Sequence, residues 1–206
     1  MALELPAYGS VFVIFRRVPT AKRFLSSPPR RAVEPAVLTV DGPWRLNFPP
    51  DLGAPESAVL SSLKSWTESE DPGIKYFSGT AGYEADFEVD KSLLGEKAGF
   101  LLDLGALGEV AEVRLNGHDL GILWKEPFQV DISEVLRPGR NTLEVKVTNL
   151  WHNRLMGDLA NPGQKPFART NMILKAQDLI PSGLFGPVTI RRAAAAAAKA
   201  SREAFD

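Results

Sequence analysis

The chain has 206 residues, 44% of them hydrophobic and 24% charged, and a formal charge of -1, the balance of an ordinary globular domain. A near-neutral chain offers no basic surface for phosphate neutralisation on nucleic acid. No apolar run approaches the roughly 20 residues of a membrane-spanning helix, and the absence of cysteine removes disulfides and thiolate metal sites.

The first element is Ser10 to Phe15, "SVFVIF", a β-rich run. It does not read as a signal peptide, because Glu4 precedes it and Arg16 and Arg17 stand where a small-residue cleavage site belongs. Residues 1–17 are expected to be a terminal strand of a preceding domain, since no hairpin partner follows. Residues 18–34, rich in proline and basic side chains, read as a linker.

From residue 35 to 192 the pattern is that of a β-sandwich. "AVLTVDGPWRLNF" gives two short strands broken at Asp41-Gly42-Pro43. Residues 56–66, "ESAVLSSLKSW", set Val59, Leu60, Leu63 and Trp66 at helical spacing, which predicts one short amphipathic helix ended by "EDPG". "IKYFSGTAGYEADFEV" alternates, with Gly79 and Gly82 suggesting a bulge or close packing. "AGFLLDLGAL" reads as a buried strand, and "VAEVRLNGHDLGILW" as two strands about an Asn116-Gly117 hairpin turn. "FQVDISEVL", the alternating "NTLEVKVTN" and a last strand in "GLFGPVTIRR" complete seven or eight strands. The alanine-rich tail, 193–206, is set apart as a frayed helix or an appended segment.

The search for chemistry yields few motifs. Ser61 and Lys64 match S-x-x-K, in which a lysine one helical turn after a serine takes its proton, but no K-T-G accompanies them. His118 and His152 are the two histidines, far apart in sequence, so a zinc site would need unusual partners. A structural calcium would be held by oxygen ligands of the sandwich loops, and no motif marks its ligands. Asp103 and Asp131 sit within strand patterns, where a paired or solvent-facing role is the default.

A sugar site needs a flat apolar face and planar polar groups. Trp151, His152, Asn153, Arg154 and Asp158, crowded just after a strand, offer these, as does Trp124 after the hairpin. The competing expectation is that Trp151 and Trp124 are core aromatics at the sandwich ends. Asn149 and Asn153 would then hold loops, and Arg154 would pair with Asp158.

Two stretches carry a resemblance. "VAEVRLNGHDLGILWKEPFQVDISEVLRPGRNTLEVKVTN" resembles the galactose-binding-domain-like jelly roll of family 2 glycoside hydrolases. The matching frame is Leu115-Asn116-Gly117, Leu120-Gly121, Phe128 with Asp131-Ile132, Gly139 with Asn141, and Leu143 to Asn149. "IKYFSGTAGYEADFEV", "TNLWHNRLMGD" and "LIPSGLFGPVTI", with "LPAYGSVFVIFRR", together look like the C-terminal part of family 106 glycoside hydrolases, the α-L-rhamnosidase-like enzymes. The resemblance implies an all-β, jelly-roll, non-catalytic carbohydrate-binding or ancillary module. Its catalytic acids would lie in a separate barrel domain, and the bacterial parent would be periplasmic or secreted. Expected partners are a rhamnose- or galactose-containing glycan and a catalytic domain of the same parent. A purely structural sandwich bracing that domain is the first alternative; an independent serine hydrolase using Ser61 and Lys64 is the second.

Overall fold

The computed structural model describes residues 35–94, 99–163, 166–168, 170 and 175–193. The expected N-terminal strand, the linker and nearly all of the alanine-rich tail lie outside the described residues. Two antiparallel sheets face each other. Strands β2 (Trp44–Asn47), β3 (Ser57–Leu60), β4 (Thr80–Val89), β7 (Val110–Leu115), β8 (His118–Leu123) and β10 (Gly139–Thr148) form a six-stranded sheet in the order β3-β2-β4-β10-β7-β8. Strands β1 (Ala36–Thr39), β5 (Gly99–Asp103), β9 (Gln129–Asp131) and β12 (Thr189–Ala193) form the opposing sheet in the order β1-β12-β5-β9. A two-stranded ribbon of β6 (Ala106–Leu107) and β11 (Leu184–Gly186) stands beside them. This is the expected all-β, galactose-binding-like sandwich, with more and shorter strands than the sequence suggests.

The core follows from period-two alternation. In β4, Ala81, Tyr83, Ala85, Phe87 and Val89 are buried, and in β10 so are Leu143, Val145 and Val147. The two strands pair without a break from Gly139 opposite Val89 to Thr148 opposite Thr80, so Gly82 makes no bulge. One end of the core is aromatic. Phe48, Phe77 and Trp66 meet edge to face, with centroids 4.9–6.0 Å apart, and Trp66 stacks parallel to Tyr83 at 6.3 Å. Such contacts contribute beyond the area they bury.

The expected hairpin forms. Asn116 (φ 53°) and Gly117 (φ 80°) both take the left-handed conformation that a two-residue turn requires. The Asn116 amide donates to Asn141 Oδ1 (2.8 Å) and to the Val135 carbonyl (2.8 Å). Asn141, fully buried, in turn binds the Arg137 backbone, accepting its N–H at 3.1 Å and donating to its carbonyl at 2.8 Å. One amide pair thus locks two turns together.

Several expectations are corrected. Residues 56–66 form no helix: Ser57–Leu60 is the edge strand β3, paired to β2 from Trp44 opposite Leu60 to Asn47 opposite Ser57. Val59 and Trp66 share no face, being 69% and 2% exposed. Alternation at the free edge of β2 outweighs a weak helical pattern interrupted by Ser61 and Ser62. Trp66 begins a separate 3-10 turn, Trp66–Glu68, closed by a capping box from Ser65 and Glu68. "EDPG" starts a helical turn rather than ending one. Asp71 Oδ1 accepts the Gly73 N–H at 2.7 Å and Pro72 fills the first position of α1 (Pro72–Lys75). The strand expected from Ile74 therefore begins only at Thr80. "GLFGPVTIRR" is two strands, β11 and β12, in different sheets, and Ala193, expected in the tail, closes β12.

Candidate functional site

The crowded residues after β10 form a corner built on a helix that the sequence reading did not anticipate, α2 (His152–Ala160). Asn149 begins it. Its Oδ1 accepts the Gly79 N–H (2.9 Å) and its Nδ2 donates to the Phe77 carbonyl (2.9 Å), tying the exit of β10 to the entry of β4. Trp151 at the N-cap supplies no side-chain acceptor. Ser78, at the entry of the neighbouring strand β4, takes that role: its hydroxyl donates to the Leu150 carbonyl (2.9 Å) and accepts the Arg154 N–H (3.2 Å). A helix whose first turn would otherwise carry orphan N–H groups is thus capped in trans.

The predicted site residues then separate. Asn153 is 2% exposed and faces inward. It donates to the Ile180 carbonyl (2.7 Å) and to Ser182 Oγ (2.9 Å), and accepts the Ile180 N–H (2.9 Å). His152 Nε2 lies 2.8 Å from the Asp178 carbonyl; a carbonyl only accepts, so this nitrogen carries the proton. Arg154, with 8% of its side chain exposed, sets Nε 3.4 Å from Asp158 Oδ1 and lays its guanidinium over the Phe167 ring at 4.5 Å. Burial pushes the Arg154 pKa down, and Asp158 opposes this. Asp158 also accepts the N–H groups of Phe167 (3.3 Å) and Ala168 (2.9 Å). The expected Arg154–Asp158 pair and the loop-holding amides are therefore present. All four polar groups are turned onto the chain itself.

The two tryptophans are the reverse of the core expectation. Trp151 is 59% exposed and Trp124 60%. The buried aromatics of the core are instead Trp44, Phe48, Trp66, Phe77 and Tyr83, with Phe87, Phe100 and Phe128. Trp151 sits at the start of α2 beside exposed Leu150. Trp124 follows the edge strand β8, with β7 between that strand and β10, and Lys125 Nζ lies 5.8 Å from its ring centroid. Of the six predicted residues, Asn153, Arg154 and Asp158 are thus turned inward, while Trp151 and Trp124 stand exposed. Ser61 and Lys64 are both exposed and neither is helical, so the one-turn geometry their motif needs is absent. Among the described residues no three histidine, aspartate or glutamate side chains converge as a cation cage.

The sequence reading passed over the outer face of the six-stranded sheet. Register places Arg45, Glu84, Glu144, Arg114 and Asp119 in one row across five strands. The next row holds Asn47, Gly82, Lys146, Glu112 and Ile122. Two depressions lie here. One, of about 450 Å³, is lined by Asn47, Pro49, Thr80, Gly82, Glu84 and neighbours. The other, of about 410 Å³, lies over Glu112, Arg114, Asp119 and Ile122. Glu144 and Lys146 line both. Arg45 pairs with Glu84 and Asp86, and Arg140 with Asp86 at 2.9 Å. The Arg140 and Thr142 hydrogen bonds hold the Asp86 carboxyl well below its ordinary range, at about 2. Alternation in β4 and β10 was the available signal, but it was read only for its buried half.

Fold and register define a galactose-binding-like β-sandwich, and comparison with known proteins agrees. Residues 68–178, more than half of the chain, match the glycosyl hydrolase 2 galactose-binding domain-like family, and the chain belongs to that family. It is 41% identical over 181 residues to a protein of Formosa agariphila provisionally named a beta-glucuronidase, covering 76% of this chain and 16% of that one. It is similar to the solved rhamnosidase of Novosphingobium sp. PP1Y, at 42% identity and a TM-score of 0.73, over 85% of this chain and 16% of that chain. A Ruminococcus gnavus beta-glucuronidase matches over 54% of this chain and 20% of that chain, at 23% identity and a TM-score of 0.46. The chain spans about a sixth of the length of the first two relatives.

Proposed function

We infer that the chain acts as a non-catalytic, ancillary sandwich of an α-L-rhamnosidase-like glycoside hydrolase of family 106, placed toward the C-terminal end of the parent enzyme. The observation that carries this is its similarity to the Novosphingobium rhamnosidase, extensive in this chain yet confined to 16% of that one. The corner at α2 favours a bracing role. Asn153 and Asp158 are hydrogen-bonded to the chain's own backbone, and what the corner presents outward is Trp151 and Leu150, 59% and 50% exposed. Such a surface suits contact with the rest of the enzyme. The carbohydrate of that enzyme is the ligand class to which the module belongs.

The test is turnover. The chain of 206 residues, given p-nitrophenyl α-L-rhamnopyranoside, is expected to release no nitrophenolate above buffer. Release that disappears in Glu84→Gln or Glu144→Gln would replace the ancillary reading with a catalytic one, because those carboxylates are cross-strand neighbours.

A further inference from the structure

We propose that the outer face of the six-stranded sheet, centred on Gly82, is a binding groove for a neutral oligosaccharide, distinct from the α2 corner.

Gly82 is the first reason. It lies in the middle of a strand pair whose register is unbroken. Its backbone is not left-handed, and a Cβ built there would meet only the Asn47 carbonyl, at 3.9 Å. Neither dihedral strain nor packing requires glycine, and glycine weakens a strand interior. Its effect is on the surface. It leaves a bare patch of backbone as the floor of the 450 Å³ depression, a volume within the roughly 300–1,000 Å³ of small-molecule sites. Any side chain would stand in that space.

Glu144 is the second reason. It sits on the ladder between Glu84 on one side and Arg114 on the other, so its carboxylate is the middle of a row of mixed charge. Glu84 is engaged by Arg45, whereas Glu144 lines both depressions. Two carboxylates side by side accept the adjacent hydroxyls of a pyranose, and Lys146 and Asn47, on the row beside them, donate. Pro49 at one end of the face and exposed Ile122 at the other give apolar contact for ring C–H groups. The cations of this face already meet carboxylates, Arg45 pairing with Glu84 and Asp86, Arg114 lying opposite Glu144 and Asp119, and Lys146 standing 3.9 Å from Glu112, so none of the three is left to receive a uronate and the occupant is a neutral sugar chain long enough to cross several strands. The choice of carbohydrate rests on reading the chain as a glycoside hydrolase module. The location of the groove rests on the sheet alone.

The experiment is calorimetric titration of the whole chain with neutral rhamno-, galacto- and gluco-oligosaccharides, with tetragalacturonate as the anionic comparator. A saturable isotherm with one of the neutral chains is expected, tighter than with tetragalacturonate. Gly82→Val should weaken it at least tenfold while melting no lower than the parent, because a β-branched residue replaces glycine in a strand with room for it. Glu144→Ala and Lys146→Ala, both surface changes, should each weaken it at least threefold. Heat from no neutral oligosaccharide, unchanged affinity in Gly82→Val, or a preference for tetragalacturonate would each overturn the groove. None of these results bears on rhamnoside turnover, so the groove and the ancillary reading fail separately.

Discussion

Replacing Asn153 by alanine separates a sugar-binding asparagine from a structural one. Its side chain makes three hydrogen bonds, two to the Ile180 backbone and one to Ser182 Oγ. Ser182 is itself held by Ser65, whose hydroxyl accepts the Ser182 N–H at 3.0 Å. Ser65 opens the 3-10 turn that carries Trp66 into the core. Asn153 is thus the outer end of a chain of bonds reaching from α2 to the aromatic cluster. At about 1 kcal/mol for each lost bond, moderated because Ile180 is 38% exposed and can recover water, the loss is about 2–3 kcal/mol. With a urea slope of about 2 kcal/mol per molar, the midpoint of unfolding followed by tryptophan fluorescence falls by about 1–1.5 M. An unchanged midpoint together with lost carbohydrate binding would refute this assignment and return Asn153 to the list of ligands.

Gly183→Ala is expected to cost about 2–5 kcal/mol. Its φ is +101°, and a Cβ would stand 2.6 Å from the Tyr83 hydroxyl and 2.7 Å from Trp66 Nε1, both on buried rings that cannot swing away; a thermal melt within about 2 °C of the parent, the shift of a change of only about 1 kcal/mol or less, would contradict it. The Asp86 cluster sets a pH dependence. Its folded pKa of about 2 lies below the ordinary 3.8, so the unfolded chain binds more protons in that window. The stabilisation is complete above the unfolded value and disappears as pH falls through about 2. Arg45 and Arg140 are solvent-exposed, so screening limits the effect to under about 1 kcal/mol. Asp86→Asn should remove the part of the acid unfolding profile that is salt-sensitive, and an unaltered profile would show that the cluster contributes nothing.

Local alternation was the most readable feature of the sequence. β4, β10 and the Asn116-Gly117 hairpin follow from period two and from turn chemistry. The errors arise where the partner is remote. Ala58 to Leu60 look helical until the free edge of β2 is there to receive them. α2 escaped notice because its cap comes from Ser78, more than seventy positions away in sequence. Its mid-helix Gly157 also discourages a helix reading, although a Cβ there would lie 2.6 Å from Tyr76. The tryptophans were misplaced for a similar reason: nothing in "NLWHN" tells whether the core already has its aromatics. The depression over Gly82 was not legible because Gly82 was read as a bulge or packing signal, and the strands that border it are remote in sequence.

The strand order has a consequence for how the chain assembles during synthesis. Among the described residues β1 pairs with β12 and with no other strand, Ala36 lying opposite Arg191. β12 in turn separates β1 from β5. Every strand of the six-stranded sheet has been made once Thr148 leaves the ribosome, but β1 must wait for a partner made some forty residues later. Until then it and β5 present unpaired edges. A ribosome stalled between α2 and β12 would therefore hold a half-closed sandwich, open along one sheet to whatever strand it meets first.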